Sequence, residues 1–272
     1  MALAGPLYKF ATQTASVEVV TFYSCLAALA GATVFLALNK KWRIDRKRSF
    51  SILLLSFLYT TAMLSFSFVS KNENPAIVSL LSRSNVIFSF LISFLYFKEY
   101  FSSKIGIGIV LISSGTLFLL STKTGISVFI GTVLILYYAL AFSVHNGILK
   151  TLDEKDCLPV LAVQNLFAVI GIFLFSADKK QFFQISTSSL NFAIAAGFLS
   201  SFLGFILYQK GLHLSSFSEV TAVRSLGPVI ALAVTYPFFP IEFDQYKIAG
   251  SILILAGVFI FNFRRKLTYD KA

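Results

Sequence analysis

Long apolar runs separated by short polar stretches make up most of this chain. A helix of roughly 20 apolar residues can cross ~30 Å of hydrocarbon. Runs of about that length lie at residues 18–38, 49–69, 75–97, 104–121, 127–149, 158–176, 188–209, 217–239 and 245–262, after a partial span at 1–15. Pro75 and Pro159 stand at the start of their runs, where a helix tolerates proline. The pattern predicts an all-α polytopic membrane protein with ten transmembrane helices.

Composition and charge agree with a membrane protein. Only 13% of the residues are charged, against about a quarter in a soluble domain. Of the 23 Lys and Arg residues, most lie in one set of alternate loops, which predicts that both termini are cytoplasmic in the cell's inner (plasma) membrane. The net charge of +11 then reflects topology and contact with anionic lipids of the bilayer. We expect no nucleic-acid partner, and the sequence does not indicate an oligomeric state.

The chain repeats itself at an offset of 143 residues. Seven residues are two helical turns, so glycines at that spacing share a face and allow close helix contact. Five spans separate the matched segments, and an odd number reverses the direction of crossing. The sequence therefore predicts an inverted repeat with halves at 1–122 and 123–272, an architecture common in transporters. The matched positions are Ser82 with Ser225, Asn85 with Pro228, Glu99 with Glu242 and, after one dropped residue, Gly108 with Gly250 and Gly115 with Gly257.

The two copies read NVIFSFLISFLYFKEYFSSKIGIGIVLISSG and PVIALAVTYPFFPIEFDQYKIAGSILILAG. Each has a helix, a glutamate and a second helix with paired glycines, and this resembles the EamA-like branch of the drug/metabolite transporter superfamily. The resemblance implies ten helices in two inverted halves, a central cavity lined largely by spans three, four, eight and nine, and movement of small metabolites, often outward. It also implies a structural role for the helix-end residues Glu99 and Glu242.

The chain departs from the family pattern in two places. The second span often carries an arginine in the family, whereas this chain has Tyr23 or Ser24 there. The proline of the fourth span is replaced by Asn85, so we expect only the second half to be kinked, at the hinge formed by Gly227 and Pro228.

Two arginines in membrane spans are the strongest candidates for a binding site. A charge near the bilayer centre costs about 2.5–3.5 kcal/mol, so we expect Arg224, and also Arg83, to face the cavity. Snorkelling, or pairing with helix carbonyls, is the alternative for both. Further candidates for the cavity lining are Ser82, Asn85, Ser225, Tyr59, Tyr208, Tyr137 and Tyr138.

The remaining polar residues of the spans suggest less. His145 is expected to be hydrogen-bonded or to face water rather than to relay protons. Gln164 and Asn165 could join helices or contact substrate. Because we assign no Asp or Glu to the interior of a span, facilitated transport or exchange is favoured over proton antiport. We expect no catalytic residues, no metal and no cofactor, because the spans show no cluster of ligands or nucleophiles.

These observations predict a transporter that moves a small polar metabolite by alternating access. An amino acid or a related anionic or zwitterionic solute, exported or exchanged, is the first choice. S-adenosylmethionine or another nucleoside-bearing metabolite is the alternative, and a membrane assembly protein is the alternative without transport. At an offset of 141, Lys9 lies over Lys150, so we expect a first helix that lacks about 14 residues and a start that is truncated or misplaced. We then expect Lys9 to snorkel to the outer interface.

Overall fold

A computed structural model of the protein describes residues 3–39, 49–98, 103–121, 126–215, 220, 227–239 and 244–263. The regular elements of these ranges are all helical. This agrees with the apolar pattern, because a helix satisfies its own backbone hydrogen bonds inside a bilayer.

In the first part of the chain, the described residues form six helices, which are α1 (Ala4–Ala11), α2 (Val17–Asn39), α3 (Ser49–Asn72), α4 (Pro75–Leu81), α5 (Ser84–Leu95) and α6 (Ser103–Ser121). In the second part, the described residues form six more, which are α7 (Ile126–Lys150), α8 (Glu154–Phe175), α9 (Thr187–Ala196), α10 (Gly204–Leu214), α11 (Gly227–Thr235) and α12 (Gln245–Phe263). A 3₁₀ turn at Lys179–Phe183 precedes α9, and a π-helix at Gly197–Leu203 joins α9 directly to α10.

Six helical stretches of the described chain are long and apolar enough to cross a membrane. They are Val17–Leu38, Ser49–Asn72, Ile77–Leu95, Ile130–Lys150, Asp156–Phe175 and Thr187–Leu214. Two shorter apolar stretches, Gly106–Phe118 and Ile248–Ile260, lie in α6 and α12. The prediction of an all-helical, multi-pass membrane protein is therefore confirmed.

The helices of the first part pack mainly on those of the second. Extensive contacts join α6 to α12, α2 to α8 and α9, α3 to α7 and α8, α5 to α7, and α4 to α11. Large apolar side chains such as Leu38, Phe50 and Phe175 remain exposed on the outside of the bundle. In a membrane this surface faces the hydrocarbon, so its exposure is expected.

The α6–α12 pair is held close by glycines. A methyl group on Gly115 would lie 2.6 Å from the carbonyl oxygen of Gly250, and one on Gly257 would lie 2.7 Å from that of Gly108. Real carbon atoms do not approach an oxygen so closely, so only glycine fits at either place. The close contact predicted from the two glycine pairs is present in the structure.

The fourth predicted span is interrupted, because α4 ends at Leu81 and α5 begins at Ser84. Our expectation that only the second half is bent was therefore wrong. A helix can break without proline where side chains replace the missing backbone bonds, and serines and Arg83 do this here, as described next. Residues 221–226, which include Arg224, lie outside the described residues.

Candidate functional site

The break between α4 and α5 is a tight turn of backbone bonds. The N–H of Arg83 donates to the carbonyl of Leu80 at 2.9 Å, and the N–H of Val86 donates to the carbonyl of Arg83 at 2.8 Å. Both bonds span three residues rather than four, which is the 3₁₀ pattern. One consequence is that the carbonyl of Ser79 loses its normal partner, the N–H of Arg83.

Side chains donate hydrogen bonds to the carbonyls that lose their backbone partners at this turn. The carbonyl of Ser79 accepts from Nε of Arg83 at 3.2 Å and from the hydroxyl of Ser82 at 2.8 Å. The hydroxyl of Ser84 donates to the carbonyl of Leu81 at 2.8 Å. Arg83 therefore supports the break with one edge of its guanidinium, so the predicted pairing with helix carbonyls is part of its role.

Arg83 also lines a cavity in the middle of the bundle. Its side chain is only 8% exposed, and Nη2 donates to the Ser82 hydroxyl at 3.2 Å. Among the described residues that line the cavity, Arg83 carries the one permanent charge. The other lining residues are Ala4, Gly5, Tyr8, Tyr59, Met63, Phe66, Ser79, Ser82, Tyr138, Phe142, His145, Ser200, Ser201 and Phe205.

Hydrogen bonds behind the cavity wall fix three of its rings. The hydroxyl of Tyr59 donates to Oδ1 of Asn165 at 3.2 Å, and Nε2 of His145 lies 2.9 Å from Oε1 of Gln164. The hydroxyls of Tyr8 and Ser24 are 2.7 Å apart. These bonds tie α3 and α7 to α8, and α1 to α2. Gln164, Asn165 and His145 thus have the interhelix bonds that the sequence analysis considered for them.

The π-helix supplies two further hydroxyls, those of Ser200 and Ser201. Such wide turns are rare and often occur at functional sites. The segment begins at Gly197, where a methyl group would collide with the carbonyl of Ser24 on α2. The missing side chain at Gly197 thus allows α2 to pack directly on the start of the π-helix. This contact fixes the position of the segment that carries Ser200 and Ser201.

The cavity is nearly closed in this structure, with a volume of about 50 Å³, which is room for a few water molecules. At the end where α1 finishes, Phe10 stacks on Phe192 at 5.0 Å between ring centres and lies 5.7 Å from Phe238 and 4.7 Å from Phe239. We call these four rings the aromatic closure.

A second group of close contacts joins α5 to α7. The hydroxyl of Ser143 donates to the carbonyl of Asn85 at 2.9 Å, and Ser89 donates to Ser143 at 3.1 Å. A methyl group on Gly147 would touch Ile92.

The structure brings together only some of the predicted site residues. Tyr59, Ser82, Arg83, Tyr138 and His145 line the cavity, as does Ser79 at the end of α4. The predicted residues Arg224, Ser225, Glu99 and Glu242 lie outside the described residues. Gly227 and Pro228 begin α11, and only their backbone is described.

Three predicted lining residues lie elsewhere. Asn85 is the second residue of α5, and its carbonyl accepts from Ser143 of α7. Tyr208 packs on Leu212 and on Ile92 of α5. Tyr137 bonds the hydroxyl of Thr61 at 2.7 Å, away from the cavity. Neighbouring positions on a helix point in different directions, and two residues differ by about 200°. The apolar pattern does not show which of these directions faces the cavity.

Some lining residues were missed, namely Tyr8, Ser79, Ser200 and Ser201. The repeat contained a signal for one of them, because an offset of 141 places Ser200 over Tyr59. The π-helix that turns both serines inward gives no sequence pattern that could be read in advance.

Comparisons with known proteins agree with this architecture. The sequence profile of the EamA-like transporter family matches residues 1–121 and again 125–263. A protein of Archaeoglobus fulgidus named an uncharacterized transporter is 27% identical over 235 residues, covering 85% of this chain and 72% of that protein. Another uncharacterized transporter, from Methanothermobacter thermautotrophicus, is 24% identical over 245 residues, covering 85% of this chain and 70% of that protein.

A solved crystal structure is similar over 95% of both chains, with a TM-score of 0.70 and 12% sequence identity. At that identity the similarity concerns the fold alone. The family profile covers most of the chain, so the chain belongs to the EamA-like transporter family. It is a multi-pass membrane transporter, as the resemblance in the sequence implied.

Proposed function

We propose that this transporter moves a small anionic or zwitterionic metabolite by alternating access through the cavity at Arg83. The observation that carries the proposal is a permanent charge, 8% exposed, at a break in a membrane helix and on a cavity wall. A charge inside a membrane span is costly. A carboxylate in the cavity would offset that cost through charge-assisted hydrogen bonds.

The rest of the wall suits an amino acid or a related solute. Serine hydroxyls of α4 and of the π-helix can bond polar groups, and the rings of Tyr8, Tyr59 and Phe142 can cover an apolar part. The same rings favour a second candidate, a nucleoside-bearing metabolite such as S-adenosylmethionine, because a flat base stacks on aromatic faces.

Alternating access is proposed from the packing of the halves. We propose ten helices in two inverted halves, 1–122 and 123–272, with both termini cytoplasmic in the inner membrane. In support, α2 contacts α8, α6 contacts α12 and α4 contacts α11, and each of these pairs joins corresponding helices of the two halves. Opening of the aromatic closure on one side, or of the α5–α7 contact on the other, would expose the cavity to each side in turn.

The test is solute uptake by purified protein in liposomes. Vesicles are loaded with an unlabelled metabolite, and the entry of labelled amino acids, organic acids or S-adenosylmethionine is measured. We expect uptake that depends on internal solute for exchange, whereas dependence on an imposed pH gradient would indicate proton coupling. If no member of the panel is carried, although the protein is folded, the non-transporting role of a membrane assembly protein becomes the better explanation.

Variants of Arg83 separate its charge from its support of the helix break. Arg83→Gln retains an N–H donor for the Ser79 carbonyl and removes the charge. We expect it to keep most of the thermal stability and to lower uptake at least tenfold, because the charge-assisted bond to the solute is lost. A tenfold loss corresponds to about 1.4 kcal/mol. Lys210→Ala is the matched control, because Lys210 is exposed and does not line the cavity. Normal uptake by Arg83→Gln would refute the proposed role of the charge.

A further inference from the structure

A large groove, separate from the cavity at Arg83, lies on the side of the bundle between α3 and α8. Its volume is about 840 Å³. Its walls are mainly apolar, and Phe57, Phe68 and Phe175 of its lining are exposed on the outside of the bundle. We call it the lateral groove. Its apolar lining residues include Phe57, Leu64, Phe68, Leu134, Phe167 and Ile172.

One end of the lateral groove carries two opposite charges. Glu18 lies in the first turn of α2 and Lys71 in the last turn of α3, so both are at the same end of the bundle. Both line the groove and both are exposed. Neither has an ion-pair partner in the part of the chain that the structure describes, although both line the groove. The polar side chains of Ser16, Asn72 and Ser176 surround them.

We propose that the lateral groove binds a zwitterionic phospholipid with a primary ammonium group. The acyl chain lies along the apolar wall, the phosphate bonds to Nζ of Lys71, and the ammonium bonds to the carboxylate of Glu18. Two opposite charges that face one groove without pairing suit a ligand that carries both. They lie at the end of membrane-spanning helices, where headgroups are found.

The choice of a primary ammonium follows from hydrogen bonding. An ammonium has N–H donors for a carboxylate, whereas the trimethylammonium of a choline lipid has none. An anionic glycerol headgroup satisfies Lys71 but offers Glu18 only neutral hydroxyl donors and no positive charge. Discrimination between ethanolamine and choline lipids therefore reports on Glu18, and retention of any phospholipid reports on Lys71.

The chain provides an internal comparison. A groove of about 720 Å³ between α2 and α9 is lined by Leu26, Val34, Phe35, Leu38, Ile194 and Phe198, among other residues, and no charged residue of the described chain lines it. We expect this groove to take acyl chains without regard to the headgroup. Headgroup selectivity should therefore depend on the charged end of the lateral groove alone.

The experiment is native mass spectrometry of the purified protein with equal amounts of phosphatidylethanolamine, phosphatidylcholine and phosphatidylglycerol with identical acyl chains. We expect phosphatidylethanolamine to be retained about fivefold to tenfold more than phosphatidylcholine, a difference near 1 kcal/mol. Glu18→Gln should bring that ratio close to one. Lys71→Met should lower retention of all three lipids, and its backbone carbonyl still accepts Lys9, so the α3 end is preserved.

Lys179→Met is the matched control, since Lys179 lies over the ring of Phe173 and does not line the groove. Equal retention of ethanolamine and choline lipids by the unaltered protein would overturn the proposal. So would an unchanged preference in Glu18→Gln with normal thermal stability. The result does not depend on transport, so failure here and failure of the proposed function are separate outcomes.

Discussion

Lys9 and Lys150 make the same contact at opposite ends of the protein. Nζ of Lys9 donates to the carbonyl of Lys71 at 2.5 Å, and Nζ of Lys150 donates to the carbonyl of Leu212. Each acceptor lies 62 residues beyond its lysine, in the last turn of α3 and of α10. A cation at a helix C-terminus satisfies carbonyls that have no partner within the helix.

We expected Lys9 to snorkel to the outer interface, and this expectation stays a prediction. The lysine binds a neighbouring helix end, because a carbonyl at the end of α3 lies within its reach. The shared offset also supports the proposed inverted repeat, since 141 residues separate the two lysines and the two acceptors alike.

The first prediction concerns the stability given by these lysines. Lys150 also donates to the carbonyl of Ser215 at 2.5 Å, so it serves two carbonyls where Lys9 serves one. We expect Lys150→Met to lower the free energy of unfolding by about 1–2 kcal/mol and Lys9→Met by less. Thermal unfolding in detergent measures both, with Lys210→Met as control. Equal midpoints for all three variants would contradict the capping role.

The sequence predicted the fold well because the bilayer imposes a simple rule. The run at 49–69, for example, corresponds to Ser49–Asn72, since a span needs a set length of apolar residues. Close helix packing at Gly115 and Gly257 was also predictable from their repeated position, whereas the pairing of α6 with α12 came from the structure. These signals are local or repeated, so a single chain is enough to find them.

The site was less predictable, because it depends on where helices stop being regular. The break at Arg83 has no proline, and serine hydroxyls replace backbone bonds there. Serines occur throughout this chain, and only the tertiary structure decides which of them break a helix. The π-helix that carries Ser200 likewise has no signal in the sequence, whereas Tyr59 and Arg83 were found from residue type alone.

The second prediction concerns the glycine contact between α6 and α12. Gly115→Ala places a methyl group against the backbone of Gly250, which cannot move aside without separating the helices. We expect a loss of about 1–3 kcal/mol in stability, the usual cost of overpacking. Gly106→Ala on the same helix is the control, because nothing described lies within 4 Å of the added methyl group. Thermal unfolding of the pair would test this, and indistinguishable midpoints would exclude a close contact.

The third prediction concerns the start of the π-helix. Gly197→Ala would collide with the carbonyl of Ser24 and push α2 away. We expect lower stability and, because Ser200 and Ser201 shift with the turn, a raised KM for the transported solute. Gly171→Ala on α8 is the control, since its surroundings are open. A variant with normal stability and normal KM would show that the contact at Ser24 does not hold the turn.

The fourth prediction concerns the aromatic closure. Phe10 contacts three rings, so Phe10→Ala removes the centre of the cluster and should favour the state open at that end. We expect faster labelling of a cysteine placed at Ser79 by a water-soluble maleimide in a protein whose own Cys25 and Cys157 are replaced by serine. Phe175→Ala is the control, because Phe175 is 91% exposed on the outside. An unchanged labelling rate would show that another contact closes the cavity.

The last prediction joins Arg83 to Arg224, whose placement rests on the sequence alone. Pro228 lacks an N–H, so the carbonyl of Arg224 loses its helical partner, and a freed carbonyl is tolerated only against protein or a watery cavity. We therefore expect Arg224→Ala to reduce uptake strongly with nearly normal folding, and Arg224→Lys to restore part of it, because lysine keeps the charge without the planar fork. A double-mutant cycle with Arg83→Gln then asks whether both arginines bind one solute. If they do, the two losses are not additive, whereas additive losses would place Arg224 at a different step. Normal uptake by Arg224→Ala would leave snorkelling as the explanation for Arg224.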